Sequence, residues 1–288
     1  MEALRYETLQ NGVLRCQVCP HYCVIPKGSS GICKIRYNNN GKLLVRNYGR
    51  VITTHIDPIE KKPIYHYLKG TKTYSFACMG CNMRCPWCQN YQISQITDAT
   101  QFDKGIAYQP MDHIKMVKKY ALPSIAYTYT EPTMYIEYAL DVMRLAHEHD
   151  IKNIWVSNGF ISEESREKLI PFVDAANIDY KGDESVYREF SLGHEDHILS
   201  TMKAFKDAGI HLEVTTLLIP GINTSHEMIN HMIDQLIKYT GKETIWHISR
   251  FYPAYKEQDR DITPYEILEY AKETALDKGL KHVYLGNI

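Results

Sequence analysis

The sequence of 288 residues has no long apolar run and no large excess of charge of one sign. No stretch approaches the roughly eighteen apolar residues that a membrane-spanning helix needs. No signal peptide is recognisable at the amino terminus. The net charge is -1, so no large basic surface is expected to attract nucleic acid. These absences predict a cytoplasmic protein that binds neither membrane nor nucleic acid.

Cysteine is absent beyond position 88, although the chain holds eight cysteines. They form two groups, one between positions 16 and 33 and one between positions 78 and 88. A set of disulfides would require an oxidising compartment and is more usual in smaller chains. Clustering of this kind indicates metal binding instead.

The second group contains the C-x3-C-x2-C run of Cys81, Cys85 and Cys88. Three thiolates can bind three irons of one cubane iron–sulfur cluster and leave the fourth iron without a protein ligand, whereas a closed structural site takes four ligands. The pattern therefore predicts a metal centre with a position open for chemistry. The alternative is a zinc knuckle that takes Cys78 as its fourth ligand, although Cys78 lies only three residues before Cys81.

The first group has the spacing C-x2-C-x3-C-x9-C and comprises Cys16, Cys19, Cys23 and Cys33. Four thiolates would close a tetrahedral zinc site or hold a second iron–sulfur cluster, and the spacing does not distinguish these. The segment has little apolar content before residue 42, so we expect metal to order it. Because four protein ligands leave no open position, this second metal site is predicted to be structural.

From residue 73 onward, short apolar strands alternate with helical stretches, which predicts an α/β fold with parallel strands and crossover helices. The predicted strands are 73–77, 124–129, 154–156, 176–179, 211–218, 244–249 and 283–285. Thr224 and Glu227 predict a capping box at the start of one helix. Length and composition fit a core barrel at 73–288, preceded at 1–72 by an N-terminal four-cysteine metal-binding segment and its connection.

Polar residues follow three of the predicted strands, and in such barrels the chemistry lies at the carboxyl ends of the strands. The candidates are Glu131, Ser157, Asn158, Asp179 and Lys181. Each also has a structural interpretation. Glu131 could be a helix N-terminal carboxylate, Ser157 and Asn158 could begin an ordinary Asn-Gly turn, and Asp179 with Lys181 could be a surface ion pair.

The spacing of Cys81, Cys85 and Cys88, with Trp87 before the last cysteine, resembles the signature of the radical S-adenosylmethionine (SAM) superfamily. The flanking residues look like those of pyruvate formate-lyase activating enzymes. Nearly the whole chain resembles the radical SAM component of AmmeMemoRadiSam systems, through the N-terminal cysteine pattern, the run 58–66 and the stretch 129–133. The resemblance implies a partial (β/α)6-type radical SAM barrel with a small Cys-rich segment before it.

The same resemblance implies an enzyme that uses a [4Fe-4S] cluster on Cys81, Cys85 and Cys88. SAM would bind the open iron, accept one electron and break into methionine and a 5'-deoxyadenosyl radical. That radical would take a hydrogen atom from a small molecule or from a protein or peptide substrate. The implied partners are a reductant such as ferredoxin or flavodoxin, and proteins of the Memo and Ammecr families.

The implied SAM contacts fall on the polar residues that follow the strands. By resemblance, Glu131 and its backbone receive the amino group of SAM. Ser157 and Asn158 contact its ribose and carboxylate. Asp179 belongs to a cation site beside SAM, and Lys181 approaches the cofactor.

Two positions depart from the activating enzymes that the chain resembles. Thr215 stands where those enzymes carry an arginine, a contact that Arg250 could supply instead, and Tyr255 replaces a histidine. The departures favour a substrate other than the glycine loop of a partner protein. Glycyl-radical activation remains the alternative within the family. A non-catalytic interaction module with two four-cysteine zinc sites is the alternative of another class.

Overall fold

The apolar stretches form strands in a computed structural model, which describes residues 1–288. The strands are β1 Tyr6–Thr8, β2 Leu14–Cys16, β3 Val24–Ile25, β4 Arg36–Asn39, β5 Lys42–Val45, β6 Arg50–Pro58, β7 Lys72–Cys78, β8 Ile106–Ala107, β9 Ser124–Tyr127, β10 Lys152–Ser157, β11 Ala175–Asp179, β12 His211–Leu218, β13 Ile245–Arg250 and β14 His282–Gly286. Each of the seven strands predicted after residue 72 is present, with ends that differ by a few residues at most.

Nine of these strands form one open sheet in the order β14-β13-β12-β11-β10-β9-β7-β6-β8. The strands from β14 through β7 are parallel neighbours, whereas β6 runs antiparallel between β7 and β8. Every residue of β9 is buried, as expected for a parallel strand covered on both faces. The predicted α/β barrel with parallel strands is confirmed, and the parallel order brings seven carboxyl ends to the same side.

The helices supply the crossovers between the parallel strands. They are α1 Tyr91–Ser94, α2 Pro110–Lys119, α3 Ile136–Glu148, α4 Glu163–Leu169, α5 Glu184–Val186, α6 Glu195–Asp207, α7 His226–Thr240 and α8 Tyr265–Asp277. The predicted cap of α7 is displaced by one residue, because the side chain of Ser225 accepts from the Met228 N–H and Thr224 Oγ1 accepts from Gly221 instead. None of the helices combines the length and the apolar character needed to cross a membrane.

The N-terminal part consists of a three-stranded sheet, β1-β2-β3, and the hairpin β4-β5. The next strand, β6, already belongs to the main sheet, since Thr54 pairs with Phe76 and Pro58 with Lys72 across the β6–β7 ladder. The predicted boundary between residues 72 and 73 therefore falls inside β7, after the chain has already entered the main sheet. The chain joins the barrel at Arg50.

The segment 59–68, part of the predicted connection, packs inside the barrel. Ile59 and Ile64 are buried in a small apolar cluster with Ala126, Ile154 and Ala175. Buried Glu213 on β12 accepts hydrogen bonds from the N–H groups of Tyr65 at 2.9 Å and His66 at 2.8 Å. Because Glu213 lies near the amino end of β12, Tyr65 and His66 occupy that end of the barrel, whereas Lys61, Lys62 and Pro63 reach the wall of the open space at the carboxyl ends.

Candidate active site

The three cysteines predicted to bind a cluster, Cys81, Cys85 and Cys88, lie in the loop that leaves the carboxyl end of β7. Cys85 Sγ is 3.2 Å from the hydroxyl of buried Ser191, and Cys88 Sγ is 3.2 Å from the hydroxyl of Ser94. Ser191 ends a π-helical turn, a distortion that is frequent at functional sites. All eight cysteines of the chain are free thiols. The loop therefore presents three thiols, each of which is available to bind a metal.

Cys78 is separated from the other three cysteines of its group. It is fully buried as the last residue of β7, and burial raises the pKa of its thiol. It does not line the cavity that the other three share. The arrangement gives no support to a zinc knuckle with Cys78 as fourth ligand.

The spacing of the three thiols fits a cluster better than a single ion. No three His, Cys, Asp or Glu side chains of the chain are grouped closely enough to hold one metal ion. In a cubane each thiolate binds a different iron, so cluster ligands lie farther apart than the ligands of one zinc. Burial raises the pKa of the Cys81 and Cys85 thiols, so binding of a metal centre to their thiolates would release protons.

A cavity of about 380 Å³ opens at the carboxyl ends of the strands. The sequence-predicted residues that line it are Cys81, Cys85, Cys88, Glu131, Ser157, Asn158, Asp179, Lys181 and Thr215. They come from the ends of five neighbouring strands, β7 and β9 to β12, and from the loops that follow them. The structure thus brings the three predicted cluster ligands and the five polar residues predicted to contact SAM to one cavity. Its size is usual for a small-molecule site.

Glu131 connects two of the loops around this cavity. Its Oε1 accepts from Ser157 Oγ at 2.8 Å and from the Thr133 N–H at 3.0 Å, and its Oε2 accepts from the Asn158 N–H at 2.8 Å. Burial raises the pKa of this carboxyl, although these hydrogen bonds oppose the shift. Glu131 therefore caps the short helix that follows it, as one interpretation predicted, and it also fixes the loop of Asn158.

Asn158 carries this network to the cluster loop. Its Nδ2 donates to Asn82 Oδ1 at 2.8 Å and lies 3.6 Å from Cys81 Sγ. Asn82 in turn donates through Nδ2 to the carbonyl oxygen of Phe160 at 2.8 Å. Asn82 was not among the predicted residues, because its position between two loop residues gives no local signal of this contact.

Asp179 and Lys181 form an ion pair of 2.9 Å between Oδ2 and Nζ. The carboxylate was expected to be buried, but the Asp179 side chain is 45% exposed, whereas that of Lys181 is 14% exposed. Burial alone would lower the pKa of Lys181, but the charges of Asp179 and Cys85 raise it above its usual range. Lys181 is thus the more enclosed charge of the pair, and of the three cluster cysteines it interacts with Cys85.

Sequence reasoning missed a second cation at the cavity wall. The Lys62 side chain is 3% exposed, with Nζ 2.7 Å from Asp57 Oδ2 and 4.3 Å from the ring centroid of Tyr129. Burial lowers the pKa of Lys62, although Asp57 opposes that shift. Tyr129 adopts φ +65°, a conformation that strains a tyrosine, and Asn90 Nδ2 donates to its carbonyl at 2.7 Å. Lys62 belongs to a charged run that by itself predicts only a solvated connection.

The positions that depart from activating enzymes differ in whether they line the cavity. Thr215 lines the cavity, where its hydroxyl donates to Asn177 Oδ1 at 2.9 Å. Arg250 does not line the cavity, and its Nε donates to the Thr263 carbonyl, so it does not replace the missing arginine. Tyr255 stacks on Tyr91 with ring centroids 4.5 Å apart and is likewise outside the cavity wall.

The four N-terminal cysteines are also brought together. Cys16, Cys19, Cys23 and Cys33 line a separate, small apolar cavity, together with Arg36 and His21. The structure therefore contains two cysteine-lined spaces, as the two groups in the sequence indicate.

Comparison with known proteins agrees with this arrangement. Residues 77–236, from the end of β7 into α7, match the profile of the Radical SAM superfamily. The chain belongs to this superfamily. Membership implies a [4Fe-4S] cluster and SAM as cofactors, and the three cavity-lining thiols are a donor set that fits such a cluster.

Relatives and solved structures are similar over different spans. An uncharacterized protein of Methanocaldococcus jannaschii is 40% identical over 290 aligned positions, which cover 100% of this chain and 85% of that protein. A domain of the pyruvate-formate lyase-activating enzyme of Bacteroides vulgatus is 17% identical, covering 56% of this chain and 98% of the domain, with a TM-score of 0.49. SuiB of Streptococcus suis, solved with its precursor peptide SuiA, is 15% identical with a TM-score of 0.56, covering 73% of this chain and 47% of SuiB. The likeness to SuiB is one of fold.

Proposed function

We propose that this radical SAM protein cleaves SAM reductively in the cavity at the carboxyl ends of its strands. The observation that carries the proposal is that Cys81, Cys85 and Cys88 open into the same cavity as polar residues from four neighbouring strand ends. Three thiolates leave one iron of a cubane for SAM. When bound, the cluster supplies the electron that breaks SAM into methionine and a 5'-deoxyadenosyl radical, which takes a hydrogen atom from the substrate.

The residues of the chain hold and orient SAM in this proposal. Glu131, Ser157 and Asn158 are already joined by hydrogen bonds, so they present fixed polar groups to the amino acid part of SAM. Lys181 supplies a buried positive charge near Cys85, where the carboxylate of SAM and the anionic cluster would both be stabilised. Asp179 keeps Lys181 in place through the 2.9 Å ion pair.

The substrate is proposed to be a small molecule or a peptide segment. The exposed residues along the cavity edge are Lys61, Gln89, Asn90 and Asn287. This edge is polar and carries little charge, so it suits amide-rich groups. By resemblance to AmmeMemoRadiSam components, proteins of the Memo and Ammecr families are the partners to test, with a ferredoxin or flavodoxin as reductant.

The test is anaerobic reconstitution with iron and sulfide, followed by SAM and dithionite. Formation of 5'-deoxyadenosine, measured by liquid chromatography with mass spectrometry, is expected. A partner or substrate of the proposed class should increase its rate, and a glycyl radical on an added protein would instead favour the activating-enzyme alternative. A colourless protein with zinc at both cysteine groups and no SAM cleavage would contradict the proposal and favour an interaction module.

The N-terminal cysteines are proposed to form a second metal site. Their thiols share one cavity, and a metal there would tie together the short strands of this segment. Metal analysis of the purified protein tests this part: one site beyond the cluster on Cys81, Cys85 and Cys88 is expected.

A further inference from the structure

The N-terminal cavity has a geometry that suits some metal centres and not others. It is small and largely enclosed. The centre of a sphere the size of a water molecule can move within about 10 Å³ of it. Zinc binds thiolate sulfur at about 2.3 Å. Four sulfur atoms arranged for zinc would therefore lie too close together to leave space for a sphere the size of a water molecule. No three of the four thiols in this segment are grouped closely enough to hold one ion.

Two residues with left-handed backbone conformations flank cysteines that line this space. Tyr22, directly before Cys23, has φ +42°, and Lys34, directly after Cys33, has φ +62°. Such conformations are unfavourable for these residue types and occur mainly where the surroundings impose them. Gly31 has little room for a side chain, because a Cβ there would lie 3.4 Å from Cys23 Sγ.

Arg36 provides an unpartnered donor in the same wall. Its side chain is 1% exposed, with Nη1 donating to Met134 O at 3.0 Å and Nη2 to both carboxylate oxygens of Glu137 at 2.9 and 2.8 Å. Its Nε is buried and has no hydrogen-bond partner. A buried donor without an acceptor is costly, so this N–H is available to donate to a group that binds in the cavity. Sulfur atoms of an anionic metal centre would serve.

The cavity is in direct contact with the loop of Cys81. His21, which lines it, hydrogen-bonds through Nε2 to the carbonyl oxygen of Asn82 at 2.7 Å. Arg84 Nη2 donates to the carbonyl of Ile32, the residue before Cys33, at 2.7 Å. A single side chain, His21 in one case and Arg84 in the other, thus connects the two cysteine-bearing segments at each of these contacts.

We propose that Cys16, Cys19, Cys23 and Cys33 hold an iron–sulfur cluster rather than zinc, with Arg36 Nε donating to one of its sulfur atoms. This rests on the proposed function only in that the cluster on Cys81, Cys85 and Cys88 is its neighbour. The centre is anionic and buried, and Arg36 offsets its charge with a guanidinium fixed by Glu137. Hydrogen bonds to cluster sulfur tune the reduction potential, which gives Arg36 a measurable role.

The test uses the variant in which Cys81, Cys85 and Cys88 are all replaced by alanine. After anaerobic reconstitution it should remain brown, hold about two to four irons per chain and give an iron–sulfur Mössbauer spectrum. A variant that holds one zinc and no iron would overturn the proposal while leaving the SAM site untouched. Equal iron in the wild-type protein and this variant would instead contradict the proposed SAM site.

Should the triple variant fail to fold, the wild-type protein answers the same question. Iron above about four per chain, with two reduced clusters that broaden each other's electron paramagnetic resonance signals, is expected. Four irons and one zinc would overturn the proposal.

The role of Arg36 is tested by Arg36→Lys, which keeps the positive charge and removes Nε. A more negative reduction potential of the N-terminal cluster is expected, together with unchanged iron content. Arg46→Lys is the matched control, because Arg46 Nε is also buried without a partner but Arg46 does not line the cavity. Equal potentials in Arg36→Lys and the wild-type protein would overturn the hydrogen bond.

Discussion

Nδ2 of Asn158 lies 3.6 Å from Sγ of Cys81. A residue predicted to touch SAM is therefore also placed to donate to a cluster ligand. Because Glu131 holds the Asn158 backbone at 2.8 Å, the cluster loop and the loops after β9 and β10 form one hydrogen-bonded unit. A change at any of these residues is expected to affect both cluster properties and SAM binding.

The first prediction separates the cluster ligands from their neighbour. Cys81→Ala, Cys85→Ala and Cys88→Ala should each abolish SAM cleavage, because three ligands leave none to spare. Cys78→Ala is the matched control in the same loop region, and it should retain cleavage while losing about 1 kcal/mol of stability from its buried site. The measurements are iron content and 5'-deoxyadenosine yield. Cleavage that survives Cys81→Ala but is lost with Cys78→Ala would contradict the ligand assignment.

The second prediction concerns Asn158. Asn158→Asp replaces an N–H donor near Cys81 with a negative charge, which disfavours the reduced, more anionic cluster. Loss of the hydrogen bond alone, worth about 1 kcal/mol, corresponds to a potential about 40 mV more negative for a one-electron couple. The added carboxylate should make the shift in Asn158→Asp larger than this. A redox titration monitored by electron paramagnetic resonance measures it.

Asn158→Ala provides the control for charge, since it deletes the donor and adds no carboxylate. Its potential should shift in the same direction by a smaller amount. A shift to more positive potential in either variant would show that the Asn158 side chain does not donate to Cys81.

The strands and the residues at their carboxyl ends could be predicted from sequence, because their signals are local. A short apolar stretch such as β9 is followed directly by Glu131, and alternation with helices gives the parallel order that collects these ends. Conversely, the pairing of β6 with β7 depends on contacts between segments, and no property of β6 alone distinguishes it from a strand of the N-terminal part.

The missed site residues share this dependence on distant partners. Lys62 faces Tyr129, 67 positions later, and Ser191 reaches Cys85 across 106 positions. Ser191 lies in no motif, and the run 58–66 that contains Lys62 does not indicate which residue Lys62 contacts, so only the fold reveals the two contacts. The cap of α7 was misplaced for a smaller reason: Thr224 and Ser225 are both good N-caps, and the turn at Gly221 engages the first of them.

The third prediction uses Glu213, which holds the segment 59–68 inside the barrel. Burial opposes its ionisation, but hydrogen bonds from His211, His247, His66 and Tyr65 lower its pKa from 4.5 to about 2. A depressed carboxyl pKa contributes stability that is present above the unfolded value and lost as the pH falls through the folded value. The difference of about 2.5 pH units corresponds to about 3 kcal/mol at neutral pH.

Glu213→Gln should therefore lower the free energy of unfolding by about 3 kcal/mol at pH 7, and the deficit should shrink as the pH falls from about 4.5 towards 2. Denaturant titrations of the metal-free protein at several pH values measure it. Glu243→Gln is the control, because Glu243 is exposed on the surface. A deficit that is the same at pH 7 and pH 3 would mean that Glu213 acts through packing and not through its charge.

The last prediction divides the roles of Asp179 and Lys181. Lys181 is the enclosed member of the pair and acts on Cys85, whereas Asp179 is nearly half exposed. Lys181→Met should weaken SAM binding about tenfold, equivalent to about 1.4 kcal/mol, because it removes the enclosed cation that we propose pairs with the SAM carboxylate. Asp179→Asn keeps the shape and should weaken binding only a few-fold, since an ion pair with an exposed partner contributes at most about 1 kcal/mol.

Iron content, SAM affinity by equilibrium dialysis and 5'-deoxyadenosine rate should be measured on the same preparations, and iron should be unchanged in both. If Asp179→Asn weakens binding as much as Lys181→Met does, then Asp179 contacts SAM directly or through a cation; if neither changes affinity or rate, the pair only stabilises the end of β11.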